Sequence, residues 1–539
     1  MSSGNADSIT VLRIEAGTEF PAAHALSIGG AFSTNCHLGR LFAEAAMRQP
    51  QASAIRTSAT RWSYARLLTG AANIAHRLAS DLGFRGGDRV ILLAPNSAEY
   101  AAGFYGVLLA GGVVVPVPPR TETSRLHAIL QTTEARLVLA TPEVTRSRED
   151  LRGWSTESLL LNADASLRSH SFAAEDDTTG DELAAVFFTS GSSGVPKGVM
   201  LSHRNLISNA CAIQDYLSID HHDRPLCVLP FHHAFGNSVL QSHLLAGAEL
   251  VLDGNTSFPE TLMTALVQHE CTSLSGVPDL FRILLDRSSF GKTALPKLRQ
   301  MTVAGGSLRR ALALEVARRI CPAEFVVMYG QTEATARLAY VPPERLAEDL
   351  SDGCIGRAIP GVTLEVVDEQ DAPVAPGETG ELRARGPSVM LGYWRDPAAT
   401  AERLRGDWLR TGDLAALDDN RFFCLKGRSS SFVKIAGFRV NPGELEEFAC
   451  RRLAARQAVA VAFESAVGTR LALYVQSDAA QGELDGSTII ARCRAELPRH
   501  LVPDVVRVVA EFSLNHALKI DRPALSQLAE QESVRRRSA

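Results

Sequence analysis

Ala184-Ala-Val-Phe-Phe-Thr-Ser-Gly-Ser-Ser-Gly-Val-Pro-Lys-Gly198 is an apolar run that opens into glycines and small hydroxyl residues and closes on a lysine. The run Ala184 to Thr189 predicts a buried strand leading directly into the loop. Ser190, Gly191, Ser192, Ser193 and Gly194 allow a tight backbone turn and bring several N–H and O–H donors around one anion. Lys197 adds a point charge suited to a polyphosphate. Ser202 has the residue type of an N-cap, so a helix is expected just downstream. This is not a Walker A loop, because Pro196 stands where glycine must precede the lysine, and no Ser or Thr follows Lys197. A bare Ser/Gly loop is more often a surface turn. The preceding strand and the Pro-Lys-Gly that follows favour anion binding.

Outward from the loop, strand-like and helical segments alternate. His37 to Arg48 has helical spacing, Arg89 to Ala94 reads as a buried strand, Tyr100 to Ala110 as a helix and Gly112 to Pro116 as a strand. Leu137 to Ala140, Cys227 to Pro230, Glu249 to Leu252 and Phe325 to Met328 continue the pattern. Such alternation predicts an α/β fold with parallel-type sheets flanked by helices. After about residue 355, short strands at Thr363–Asp368, Gly380–Ala384 and Arg421–Leu425, separated by Pro/Gly/Asp turns, suggest a small β-barrel. A compact α+β segment follows. The expected organisation is an N-terminal extension over 1–35, a large domain over 36–427 with its barrel at about 355–427, a hinge at 428–431, and a small mobile domain over 432–539.

Composition sets outer bounds. Hydrophobic residues make up 45% and charged residues 21%, with a formal net charge of −5, so neither a nucleic-acid binder nor a basic membrane-surface protein is indicated. The terminal Arg535-Arg-Arg537 reads as a solvated tail. The nine cysteines are scattered without a CxxC pair, which argues against a disulfide framework or a zinc ribbon. The longest apolar run, Val107 to Val117, is broken by Gly111, Gly112 and Pro116 and falls short of the roughly 20 residues a bilayer span needs. No signal-peptide pattern opens the chain. A cytoplasmic protein without a membrane span is expected.

Several further motifs occur in a fixed order: Tyr329-Gly-Gln-Thr-Glu333, Trp408-Leu-Arg-Thr-Gly-Asp413, Gly427-Arg428 with Lys434 and Gly437, and Lys519-Ile-Asp-Arg522. With Thr189 to Gly198 they resemble the adenylate-forming superfamily of acyl-CoA synthetases, peptide-synthetase adenylation domains and luciferases, from about residue 36 to 525. That resemblance implies ATP and Mg²⁺ as cofactors. Glu333, helped by Thr189, would hold the metal, a fit for a hard cation, and Thr332 would hydrogen-bond the α-phosphate. Tyr329, Gly330 and Gln331, with Gly305, Gly306 and Ser307, resemble the walls around adenine. Asp413 would take the ribose hydroxyls, Arg428 would contact ribose or phosphate, and Lys519 would stabilise charge during adenylation. Lys434 would be the second cation of the small domain. Alone, a Thr-Gly-Asp is usually a turn and a C-terminal lysine usually solvated.

Two positions depart from the family pattern. Ser430 occupies the hinge position commonly filled by Asp or Lys, and Leu518 stands where glycine usually precedes the lysine. They are the sole support for a nucleotide-binding pseudoenzyme, against which the preserved Lys197, Glu333 and Lys519 argue.

Pro230-Phe-His-His-Ala-Phe-Gly236 resembles the segment lining the acyl pocket, with His233 near the incoming thiol. A metal-site reading of His232 and His233 is weak, because neighbouring residues of a strand face opposite ways. Amino-acid-activating relatives carry an aspartate here to pair the substrate ammonium. None occurs between Pro230 and Leu240, so a fatty or aryl acid is expected and an amino acid is the alternative. Apolar residues near Val277-Pro278, Ala304 and Met328 agree. Lys434 to Arg439 resembles a pantetheine channel, with Gly437 giving room and Arg439 at its edge. The acceptor thiol would belong to CoA or to the phosphopantetheine of an acyl-carrier protein.

Overall fold

The computed structural model describes residues 10–15, 37–151, 155–160, 180–189, 196–348, 352–428, 433–435, 438–453, 455–465, 468–477, 485–513 and 520–538. They fall into two compact units, Met1–Glu365 with Arg383–Thr411, and Val366–Leu382 with Gly412–Ala539.

The first unit contains the parallel sheets that the alternation predicts. One has the strand order Gly392–Tyr393, Lys197–Ser202, Leu183–Thr189, Val113–Pro116, Arg89–Leu93, Leu137–Ala140, Thr10–Glu15 and Ser155–Leu160. Its inner strands are parallel, and Lys197–Ser202 runs antiparallel to both of its neighbours, Leu183–Thr189 and Gly392–Tyr393. Thr10–Glu15 lies in the stretch read from sequence as an extension, and it pairs in parallel with both Leu137–Ala140 and Ser155–Leu160. The other sheet runs in parallel through Ser53–Arg56, Leu250–Val251, Pro225–Leu226, Ser273–Gly276, Gln300–Val303 and Glu324–Tyr329, then turns antiparallel at Ala339–Val341.

Helix Ala98–Leu109 starts at an N-cap where Ser97 accepts from Tyr100 N, and all of its side chains except Glu99 are buried. A helix apolar all round needs cover on every side, and helix Tyr64–Asp81 supplies one of its walls. Ser202 caps helix His203–Tyr216 as expected, with Asn205 completing a reciprocal capping box.

Two strand readings shift. The strand expected over Cys227 to Pro230 ends at Leu226. Beyond it Asn96 takes hold of the backbone: its Nδ2 donates to Leu229 O and its Oδ1 accepts from Phe231 N, both at 2.8 Å. The strand expected over Arg421 to Leu425 begins at Phe423, because Arg421 has φ +59° inside a turn whose Asp418 carboxylate accepts from Phe422 N.

The segment expected to be barrel-like yields strands Thr363–Val367, Gly380–Arg385 and Phe423–Arg428, together with the long strand Trp408–Leu417. In the second unit, Ala455–Ser465 and Gly468–Ser477 pair antiparallel, and Val505–Val508 adds in parallel. The alternation along these strands feeds two cores. Ala458, Ala460, Leu471 and Leu473 pack with Leu445, Ala449, Ile489 and Cys493 of helices Pro442–Arg452 and Gly486–Glu496. Val459, Val461, Phe463, Ala472 and Tyr474 pack with Leu525 and Ala529 of helix Arg522–Ser538. The Arg535-Arg-Arg537 tail is therefore the last stretch of a helix. No described helix is long and apolar enough to cross a membrane.

Candidate active site

Leu183–Thr189 is returned antiparallel by Lys197–Ser202, with Thr189 opposite Lys197 and Phe188 opposite Gly198. Thr189 Oγ1 donates to Lys197 O at 3.5 Å. Ser190, Gly191, Ser192, Ser193 and Gly194 lie outside the described residues. What the structure gives is the hairpin base on which the loop stands, with its lysine on the return strand.

The edge strand Gly392–Tyr393 pairs with that return strand, Tyr393 opposite Val199. Trp394 N donates to Gly198 O at 2.7 Å and Leu391 N to Met200 O at 2.9 Å. The Tyr393 ring thereby stands 5.1 Å from Lys197 Nζ, a cation–π distance, and its hydroxyl donates to Glu333 Oε1 at 2.8 Å. Burial first and the Glu333 carboxylate second raise the Tyr393 phenol above its ordinary value, so it stays a proton donor. Lys197 and Glu333, far apart in sequence, thus meet at one tyrosine.

Glu333 sits on a tight turn after strand Glu324–Tyr329. Only glycine fits at 330, since an added Cβ would lie 1.8 Å from Ala336 O. Thr332–Ala334 is one turn of 3₁₀ helix, followed by Thr335 at φ +60° and Ala336 at φ +108°. Positive φ at consecutive non-glycine residues costs about 1–3 kcal/mol each and persists only where neighbours enforce it. Here Ala336 N donates to Gln331 O, Leu338 N to Tyr329 O, and Thr335 Oγ1 to Ser388 O. Met390 N donates to Glu333 O, while Asn205 Nδ2 holds both Pro387 O and Val389 O at 2.8 Å. Gln331 Nε2 is buried with no hydrogen-bond partner among the described residues, a donor available to a bound group. Gly305 has φ +84° at the end of strand Gln300–Val303, and Gly306 and Ser307 follow exposed.

His233 is the N-cap residue of helix Ala234–Ala246, not part of a strand. Its ring lies 4.6 Å from that of His232. Phe231 O accepts from the buried Tyr100 hydroxyl at 2.9 Å, so Tyr100 and Asn96 together fix the approach to His233. Next in this lining, Phe235 lies under the guanidinium of Arg337, 3.9 Å from its ring centroid. Arg337 Nε also donates to Met328 Sδ at 3.4 Å.

In the second unit, Asp413 and Arg428 are register partners on adjacent strands, and Arg428 Nε donates to Asp413 Oδ1 at 2.8 Å. Asp413 is buried and Arg428 mostly exposed, so the carboxylate fixes the stem of a cation that faces solvent. Lys434 and Arg439 are opposite one another in the antiparallel pair Val433–Ile435 and Phe438–Val440. Gly437 and Lys519 lie outside the described residues. The C-terminal flank of Lys519 is well anchored: Arg522 Nη1 reaches Glu446 Oε1 at 2.7 Å and Asp521 Oδ1 accepts from Ala524 N.

The AMP-binding enzyme family matches residues 42–394. The chain belongs to that family. Among its relatives is the long-chain-fatty-acid–CoA ligase of Salmonella typhimurium, 29% identical over 90% of this chain and 94% of that protein. Feruloyl-CoA synthase of Amycolatopsis sp is 29% identical over 88% of this chain and 95% of its own length. ATP-bound MatB from Rhodopseudomonas palustris superposes with a TM-score of 0.79 at 26% identity, covering 93% of this chain and all of that one. Family membership accounts for the order of motifs. It did not point to Tyr393, Asn96 or Arg337, which sequence reasoning missed. Tyr393 sits in an unremarkable Gly-Tyr-Trp, Asn96 was legible only as a turn residue, and Arg337 carries no periodic signal.

Proposed function

We propose that this protein is an AMP-forming acid–thiol ligase. A carboxylate oxygen attacks the α-phosphorus of ATP, the bond to pyrophosphate breaks, and acyl-AMP forms. A pantetheine thiol then attacks the acyl carbon, and thioester and AMP leave. The observation that carries this reading is the convergence of Lys197 and Glu333 on Tyr393 at the base of the hairpin. Two anions must meet in the first step, so charge neutralisation is the main task of the site.

In this reading Lys197 offsets phosphate charge and Thr332 donates to the α-phosphate. Gln331 supplies a buried amide donor in the nucleotide wall, and close backbone at Gly330 and Gly305 admits a flat base. Glu333, with Thr189 nearby in sequence to the loop, presents hard oxygen ligands that fit Mg²⁺, which would neutralise and orient the phosphates. Asp413 and Arg428 serve the ribose, Lys519 the developing charge during adenylation, and Lys434, Gly437 and Arg439 the thiol channel. The acid is taken to be fatty or aryl, because no aspartate lies between Pro230 and Leu240 to pair an ammonium. CoA is preferred over a carrier protein as acceptor, since the whole-length relatives named above are CoA ligases.

The test is acid-dependent pyrophosphate release across fatty, aryl and amino acids, with CoA and carrier protein as alternative acceptors. Lys519→Ala is expected to abolish adenylation, and normal exchange by that variant removes the role given to Lys519. ATP binding without pyrophosphate release on any acid overturns the enzyme reading.

A further inference from the structure

Arg337 is 2% exposed. Its contacts are the Phe235 face, the Met328 sulfur and the Tyr216 phenol, and no carboxylate of the described residues interacts with it. The Tyr216 hydroxyl itself donates to Met328 Sδ at 2.9 Å, and burial pushes its pKa up to about 12, so it stays neutral. Around them lie Ala304, Val326, Tyr340 and Ile359, an apolar and aromatic cluster that a side chain such as methionine would complete. A guanidinium stays protonated in proteins, and burying a charge without a counter-charge is strongly unfavourable. Packing alone gives no reason for a cation at this position.

Its position supplies one. Met328 and Ala304 are among the apolar residues read from the sequence as favouring a fatty or aryl acid, and Phe235 lies two residues beyond His233. Phe235 covers the flat face of the guanidinium, an arrangement compatible with in-plane pairing at its N–H edge. The main chain here is also fixed, since Asn209 Nδ2 donates to Arg337 O at 2.9 Å. Asn209 and Thr335, which flank this turn, line a cavity together with Ala234, Asn237, Ser238 and Gln241. Thr335, two residues before Arg337, thus stands at the wall of that cavity.

We propose that Arg337 receives a second carboxylate, at the end of the acid remote from the adenylated group, so that the substrate is a dicarboxylic acid. This deepens the proposed acid–thiol ligase and rests on it. A planar fork on a carboxylate gives two parallel charge-assisted hydrogen bonds and supplies the counter-charge that the cluster lacks. The apolar neighbours hold the carbon skeleton between the two carboxylates, whether aliphatic chain or aryl ring.

The experiment compares matched acids on the full-length enzyme with Mg-ATP and CoA: straight-chain monoacids against α,ω-diacids of equal carbon number, and benzoate against carboxybenzoates. Wild type is expected to favour the diacid in at least one pair by on the order of 10-fold or more in kcat/KM. Arg337→Met is expected to invert that ranking, chiefly through KM, and Arg337→Lys to keep part of it. Preference for the monoacid in every wild-type pair overturns the proposal while leaving adenylation standing, as does an unchanged ranking in Arg337→Met. If Arg337→Met fails to fold, the wild-type ranking and Arg337→Lys decide. Pyrophosphate release with no acid of either kind overturns the ligase reading as well.

Discussion

Tyr393 donates its hydroxyl to Glu333 Oε1 at 2.8 Å while its ring faces the ammonium of Lys197. The tyrosine orients the carboxylate proposed to hold Mg²⁺ and leaves its other oxygen to a ligand. Groups that orient a metal ligand typically change metal affinity about 10–100-fold when removed. Tyr393→Phe should therefore raise the Mg²⁺ concentration needed for half-maximal pyrophosphate release by about 10-fold or more. An unaltered Mg²⁺ titration would show that Glu333 does not depend on this contact.

Gly330→Ala should be severely damaging. The new Cβ would meet a backbone carbonyl, which cannot rotate away as a side-chain end can. Overpacking of this kind costs about 1–3 kcal/mol, here in a turn already strained at Thr335 and Ala336. A lower urea midpoint together with a loss of adenylation is expected. Wild-type values for both would mean that the turn has room to shift.

Asn96→Ala removes both hydrogen bonds that tie the 229–231 backbone to the first sheet. Leaving those buried groups unpaired costs about 1–3 kcal/mol each. Because the clamp lies immediately before His233, the KM for the acid should rise along with the loss of stability. Chemical unfolding and acid-dependence curves measure the two effects separately, and a fall in stability with no change in KM would make the clamp purely structural.

Burial lowers the pKa of His243 from its ordinary 6.5 to about 4, and its Nδ1 lies 2.9 Å from Val239 O. The unfolded chain takes up this proton near pH 6.5, whereas the folded chain resists until about pH 4. The stabilisation is full above pH 6.5 and falls away as pH drops toward 4, by up to about 3 kcal/mol. His37, also lowered to about 4 by burial, acts in the same direction. His243→Asn should flatten the pH dependence of the unfolding free energy between pH 7 and 4.5. A slope identical to wild type would assign the effect to other groups.

The parallel sheets were legible because strands buried on both faces read as unbroken apolar runs, as at Arg89–Leu93 and Leu137–Ala140. Ser202 was legible as a cap because capping is local chemistry. Thr10–Glu15 was not legible as a strand, since its partners lie far along the chain. The Cys227 boundary failed for the same reason: Asn96, more than a hundred residues earlier, ends that strand. In the site, Tyr329 to Glu333 stood out as a short motif, and the structure puts Gly330 and Glu333 on one tight turn. Tyr393 and Arg337 act through distant partners, and no local pattern marks such residues.

The pairing of Thr189 with Lys197 makes the length of the intervening loop a matter of parity. Residues facing each other across antiparallel strands project to the same side, and a slip of one residue sends the side chain to the opposite side. One residue inserted or deleted between them would either bulge the loop or turn the ammonium away from Tyr393. Residue count as well as chemistry in this segment therefore bears on where the ammonium points.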